Sequence, residues 1–131
     1  MKSLILLTAL FALFLSSCAA APPSQTELDT ADYGTHISQE DAQALAEGFL
    51  TGHLKDPGSA QYQWGTVYKG YLTHAPIHGG RHVFGYILEV QVNAKNSYGG
   101  YVGFKPYRFV FYNGSIKTVY GDRDGYMMKI M

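Results

Sequence analysis

Residues 82–94 read HVFGYILEVQVNA, and apolar and polar side chains alternate here more regularly than elsewhere in the chain. Every second residue from Phe84 to Val92 is apolar or aromatic, and the positions between them include Glu89 and Gln91. A period of two residues is typical of a β-strand that buries one face. The stretch therefore predicts a strand whose apolar face is turned toward the core.

Two neighbouring regions carry weaker strand patterns. Residues 61–72 also alternate, which predicts one strand with its apolar face formed by Tyr62, Trp64, Thr66, Tyr68 and Leu72. Glycines at positions 65 and 70 predict bends or bulges within it.

The pair Asn113-Gly114 predicts a hairpin, because these residues tolerate the positive φ of a type I′ turn. A two-residue turn would pair Phe111 with Ile116, Phe109 with Thr118, and Tyr107 with Tyr120. Residues 126–130 predict a short edge strand.

A helix is predicted after Ser38, which is a good N-cap residue. Apolar residues then recur at helical spacing as far as Leu54, and Asp56-Pro57-Gly58 ends the pattern. We therefore expect an α+β fold, in which one N-terminal amphipathic helix packs on an antiparallel sheet of three to five strands in a two-layer sandwich.

The chain begins with the features of a secretory signal peptide. Lys2 precedes an uncharged, largely apolar run over residues 4–15, which is shorter than the roughly 20 residues that span a bilayer. The run ends in Leu15-Ser16-Ser17-Cys18, which resembles a bacterial lipobox. In proteins with that motif the thiol is lipidated, the signal is cut before the cysteine, and the new amino group is acylated. The alternative is an ordinary secretory signal with an incidental cysteine.

This reading divides the chain into three parts. Residues 1–17 are a cleaved lipoprotein signal peptide, 18–36 a lipidated N-terminus and flexible tether, and 37–131 a single α+β domain. Alternatively, part of the tether packs on the domain through Leu28 or Tyr33. Ala19 follows the cysteine, which by resemblance to enterobacterial lipoproteins favours the periplasmic face of the outer membrane over the inner membrane.

Composition excludes several functions. The chain has ten Lys and Arg residues against ten Asp and Glu residues, and removal of Lys2 leaves nine basic residues. We therefore expect no nucleic-acid partner and no surface of a single sign that would steer charged partners. A single cysteine forms neither an intramolecular disulfide nor a cysteine-rich zinc site.

Candidate catalytic and metal-binding residues are few. His74, His78 and His82 have the spacing of ligands on one helix face, but Pro76 and two glycines exclude a helix there. No serine lies in a Gly-X-Ser-X-Gly motif, and lipidation would consume Cys18. We therefore expect no catalytic residue, no metal and no cofactor.

The segment 93–104 stands out as a candidate binding loop. It is rich in Tyr, Gly, Asn and Ser, which recognition loops favour because rigid aromatic area is combined with adaptable hydrogen bonding. The candidate contact residues are Asn93, Lys95, Asn96, Tyr98 and Tyr101. The alternative is a long hairpin connection without a binding role.

Two stretches resemble a family of small, largely uncharacterised proteobacterial lipoproteins and periplasmic proteins. They are LKDPGSAQY at 54–62 and VNAKNSYGGYVGF at 92–104, and the similarity extends over residues 40–120. The family carries no established activity. The resemblance therefore implies kinship and domain boundaries, and it transfers no site residue.

The sequence thus predicts a membrane-anchored bacterial lipoprotein with a non-enzymatic periplasmic domain that binds a partner or serves a structural role. Its expected partners are the lipid bilayer, through acylated Cys18, and a cell-envelope protein. The alternatives are an inhibitor or immunity-type lipoprotein acting on a wall-degrading enzyme, a toxin or a phage, and a hydrolase without a recognisable motif.

Overall fold

The computed structural model describes residues 20–131, and most of the regular structure in this range is antiparallel sheet. Two α-helices are present, α1 (Gln25–Thr30) and α2 (Gln39–His53), with a short 3-10 turn at Pro76–His78. The strands are β1 (Asp56–Trp64), β2 (Tyr68–Thr73), β3 (His82–Lys95), β4 (Lys105–Tyr112), β5 (Ser115–Arg123) and β6 (Tyr126–Lys129).

The stretch of strict alternation forms β3, the longest strand of the sheet. One edge of β3 pairs with β4, and β1 and β2 follow one another along its other edge. The order is completed by β5 beside β4 and by β6 beside β5. Every pairing is antiparallel.

Helix α2 covers one face of the sheet. Its Ala42, Ala46 and Leu50 are fully buried in one core with Leu88 of β3 and Phe109 of β4. Phe109 contacts the helix directly, since its ring lies edge-on to that of Phe49 at 5.7 Å between centroids. The core also includes Val90, Val92, Tyr107, Phe111 and Val119.

The start of α2 is fixed by local and tertiary hydrogen bonds. The Ser38 side chain accepts a hydrogen bond from the Asp41 N–H at 3.1 Å, which confirms the predicted N-cap. The Gln39 side chain donates to the Gly65 carbonyl at 2.9 Å and accepts from the Val67 N–H at 2.8 Å. The helix is thereby attached to the junction between β1 and β2.

The predicted fold class, one N-terminal helix on a sheet of three to five strands, is wrong. The sheet has six strands, and the short helix α1 precedes the long one. The count fails because the single strand predicted at 61–72 is two strands, separated by residues 65–67. The edge strand predicted near the C-terminus is present as β6.

The break between β1 and β2 also changes which face the side chains occupy. Trp64 pairs with Val90, but Tyr68 pairs with Ile87. The chain from Trp64 to Tyr68 therefore contains one residue more than the part of β3 that lies opposite it. An extra residue of this kind reverses the alternation. Tyr68 and Leu72 therefore lie on the opposite face from Tyr62 and Trp64, contrary to the prediction.

A second bulge shifts the predicted hairpin. Phe111 pairs with Ile116 as predicted, and Asn113 has a φ of 50° in the turn. Beyond that pair Phe109 lies opposite Val119 rather than Thr118, because Lys117 is an extra residue in β5. Tyr107 accordingly pairs with Gly121 and not with Tyr120. The bulge turns the valine, and not the threonine, toward the core under α2.

The segment before α2 contacts the sheet. The Tyr33 ring lies edge-on to Phe84 at 5.4 Å, and the Lys69 ammonium lies 4.2 Å from the centre of the Tyr33 ring. The Thr35 N–H donates to the Asn113 side chain at 2.9 Å. Tyr33 therefore packs on the domain, as in the alternative in which part of the tether contacts it.

Alanine substitutions at two glycines test this packing, because we expect opposite effects on the free energy of unfolding. A Cβ at Gly85 of β3 would lie 2.8 Å from Val110 Cγ1 and would overlap the Phe111 carbonyl oxygen, whereas one at Gly48 of α2 would meet nothing within 4 Å. We expect Gly85→Ala to lower the free energy of unfolding by about 1–3 kcal/mol, because overlap with backbone is not easily relieved. We expect Gly48→Ala to raise it by roughly 0.5–1 kcal/mol, because alanine is the better helix former. Urea denaturation measures both, and a stable Gly85→Ala variant would contradict the tight contact between β3 and β4.

Candidate functional site

The predicted binding loop connects β3 to β4 and is held by its own hydrogen bonds. The Asn96 N–H donates to the Gly100 carbonyl at 2.9 Å, which closes the tip. The Asn96 side-chain oxygen accepts from the N–H groups of Tyr98 at 2.9 Å and Gly100 at 3.2 Å. The carbonyl oxygen of this side chain is therefore committed to shaping the tip.

Three other candidate residues also hold the loop in place. The Asn93 side chain accepts from the N–H of Gly103, a glycine with a φ of 93°, at 3.1 Å. The Tyr101 hydroxyl donates to the Ser59 carbonyl at 3.0 Å and so ties the loop to β1. The Lys95 ammonium lies 5.5 Å from the centre of the Tyr101 ring. These contacts give Asn93, Lys95 and Tyr101 a structural part in the loop.

Tyr98 differs from the other candidates. It lies at the tip and is 95% exposed, more than any other large hydrophobic residue described. Val102 and Phe104 add exposed apolar area along the same loop. Contiguous exposed apolar surface is typical of an interaction site. Tyr98, Val102 and Phe104 thus provide exposed apolar surface along the loop, beside the hydrogen-bonded Tyr101.

A cavity of about 360 Å³ lies at the base of the loop, between the end of α2 and the adjoining ends of β3 and β4. Its apolar lining includes Val92, Ala94 and Tyr107, which are buried, and Val102 of the loop. Its polar lining comprises His53, Lys55, Lys95, Asn96, Lys105 and Asp122.

A second cavity of about 330 Å³ shares His53 and Asp122 with the first. It adds Arg123 and Lys129 to the basic residues. We call the two together the basic cleft. Five of the nine Lys and Arg residues that follow Lys2 line it, together with Asp122.

Few charges in the cleft are paired. The Lys105 ammonium lies 3.7 Å from the nearly buried Asp122 carboxylate. Within residues 20–131 no other cation of the cleft has a carboxylate within 4 Å. Burial, with a smaller contribution from Asp122, raises the pKa of the Tyr107 hydroxyl. The cleft therefore combines an apolar floor with a basic rim.

The basic cleft could not be found from sequence patterns. His53 ends α2, and its ring stacks on Phe49 at 5.6 Å between centroids. The other cations are spread from Lys55 to Lys129, with no common motif or spacing. The pairing of β3 with β4 and β5 with β6 brings them together.

The three histidines considered as metal ligands each have a different structural environment. His74 bonds to the Tyr120 hydroxyl at 2.5 Å, and His82 to the Thr73 hydroxyl at 3.0 Å. His78 ends the 3-10 turn. In residues 20–131 no three His, Cys, Asp or Glu side chains are grouped so that they could hold a metal ion.

Comparison of the chain with known protein families, curated proteins and solved structures gave no match. The resemblance to small proteobacterial lipoproteins therefore stays a prediction. None of the helices in residues 20–131 has the length and apolar character needed to cross a membrane. Cys18 and the predicted signal peptide lie outside the described residues.

The different roles of the two loop tyrosines can be separated by removing single hydroxyl groups. Tyr101→Phe loses the bond to Ser59, and we expect the free energy of unfolding to fall by about 0.5–1.5 kcal/mol. Tyr98→Phe is the matched control, and we expect a change within about 0.5 kcal/mol because its side chain is exposed. Equal effects in urea denaturation would show that the loop is not tied to β1.

The buried histidine predicts a dependence of stability on pH. Burial lowers the pKa of His74, and the nearby charges of Lys129, Arg81 and His78 lower it further. The unfolded state therefore binds this proton more readily, so the contribution of His74 is complete above about pH 6.5 and is lost as the pH falls. His74→Gln should flatten the dependence of unfolding free energy on pH between about 7.5 and 5. An unchanged slope would assign the acid sensitivity to other groups.

Proposed function

We propose that this chain is a bacterial lipoprotein, anchored by acylated Cys18 at the periplasmic face of the outer membrane, with a non-enzymatic domain that binds a cell-envelope protein. The lipobox-like sequence before Cys18 supports the anchor. The contact surface is the loop between β3 and β4, and the observation that carries this assignment is the exposure of Tyr98 at its tip and of Val102 and Phe104 further along it.

The placement of the N-terminal segment supports this role. The Tyr33 hydroxyl donates to the Leu28 carbonyl of α1 at 3.3 Å, and the Tyr33 ring packs on Phe84 near the start of β3. Residues 32–35 lie at the turn between β4 and β5, at the same end. The binding loop leaves the other end of β3. A strand of 14 residues spans about 45 Å, so the loop is remote from the anchored end.

The link between anchor and domain is short. Pro23 is already buried, and five residues of extended chain from Cys18 reach at most about 18 Å. A domain held this close to the bilayer by one end would present its opposite end to the periplasm. The loop is then the part of the domain best placed to meet a partner in that compartment.

The anchor is tested by replacing Cys18 in a bacterial host. We expect the wild-type chain to incorporate an alkyne-labelled palmitate and to sediment with the membrane fraction. Cys18→Ala should lose the label and remain soluble, because the one cysteine that could carry the lipid is then absent. Labelling of Cys18→Ala at the wild-type level would rule out this anchor.

The loop is tested by crosslinking in intact cells, followed by affinity purification and mass spectrometry. We expect a partner that is captured by the wild type and lost with Tyr98→Ala, because that side chain touches no core residue. Ile77→Ala is the matched control, since Ile77 is 86% exposed in the turn at the opposite end of β3. If the wild type and both variants captured the same partners at equal thermal stability, the loop would not be part of the binding site.

A further inference from the structure

We infer that the basic cleft at the base of the binding loop binds an acidic peptide segment that also carries apolar side chains. This rests on the proposed function as a binding domain and adds the chemistry of the partner. Three features of the cleft lead to it: its charge, its floor and its position in the molecule.

The charge of the cleft points to an anionic ligand. Lys55, Lys95, Lys105, Arg123 and Lys129 line it, against Asp122 as its acidic lining residue. Asp122 is engaged by Lys105. Asp56 pairs with Lys95 across the strands and Asp124 follows Arg123, but neither forms a salt bridge among residues 20–131, so basic residues remain in excess. Opposite charge on a partner would both attract it and fix its orientation.

The floor of the cleft narrows the choice of anion. Leu54 and Val102 line the cleft and remain accessible, above Val92 and Ala94, which are buried. Such a surface gains free energy by covering apolar groups, which an inorganic phosphate or a sugar phosphate does not provide. Stacking of nucleic-acid bases needs accessible aromatic faces, and Tyr107 is only 6% exposed.

The position of the cleft favours a peptide over a lipid headgroup. The cleft is lined by Val92 at the loop end of β3, while Tyr33 of the N-terminal segment contacts Phe84, eight residues or roughly 26 Å back along that strand. Headgroups of the membrane that holds the anchor would lie at the far end. A peptide could occupy the cleft while its neighbouring surface contacts Tyr98 and Val102 of the adjacent loop.

The test uses the full chain in detergent and fluorescence anisotropy of a labelled peptide of repeated Glu-Glu-Leu triplets. We expect binding that weakens with added salt, because the ionic contacts are exposed. Lys55→Gln with Lys129→Gln should weaken binding about three- to tenfold. Lys69→Gln with Lys117→Gln removes the same charge outside the cleft and should leave binding unchanged. Thermal unfolding of both double variants verifies that they are folded.

Control ligands separate the two parts of the claim. A Glu-Glu-Ser peptide should bind more weakly because it has nothing to cover the apolar floor, and a Lys-Lys-Leu peptide should not bind. Equal effects of the two double variants, or no binding of the Glu-Glu-Leu peptide, would overturn the assignment. Tighter binding of polyphosphate or of phosphatidylglycerol vesicles, lost with the cleft variant, would reassign the cleft to phosphate.

The outcome is independent of the crosslinking experiment. If the chain binds the acidic peptide but captures the same partners with and without Tyr98, the cleft assignment stands and the loop assignment fails. If the partner is lost with Tyr98→Ala but the acidic peptide does not bind, the proposed function stands and this inference fails.

Discussion

The pairing of β3 with three other strands is the interaction on which the rest of the structure depends. Its 14 residues carry β4 along one edge, and β1 and β2 in succession along the other. Helix α2 packs on the face that Leu88 and Val90 present, and β5 and β6 join the sheet through β4. The length of β3 also separates the N-terminal segment from the loop between β3 and β4. One strand thus sets both the core and the distance between these two segments.

Several features of the fold could be predicted from local patterns, because each of them depends on residues that are close in sequence. They are the alternation in β3, the Asn113-Gly114 turn and the Ser38 cap. The number of strands and the sheet face on which each side chain lies could not be predicted, because a bulge is one added residue that a periodic pattern does not reveal. At Lys117 the decision is tertiary, since the extra residue places Val119 under α2 beside Phe109. Helix α1 was missed because its evidence is a capping box of Ser24 and Glu27 without an apolar stripe.

The candidate site shows the same division. Composition drew attention to the loop, but it could not separate residues that shape the loop from residues that face outward. The side chains of Asn96 and Tyr101 form hydrogen bonds within the protein, and the exposed side chain of Tyr98 does not, although all three belong to one short motif. The basic cleft left no trace in sequence, because its residues come from α2, four strands and the segments between them. Only the folded sheet brings residues as distant in sequence as Lys55 and Lys129 to two cavities that share His53 and Asp122.

The balanced charge of the chain conceals a separation of charge in space. Glu27, Asp29 and Asp32 lie in the segment at the start of β3, and the basic cleft lies beyond its other end. Physiological salt screens charges beyond about 8 Å, which is far less than the length of β3. A partner at the cleft therefore responds to the local excess of lysine, and the acidic residues at the far end do not cancel it. Net charge is a property of the whole chain, whereas recognition depends on the charge within one screening length of the contact.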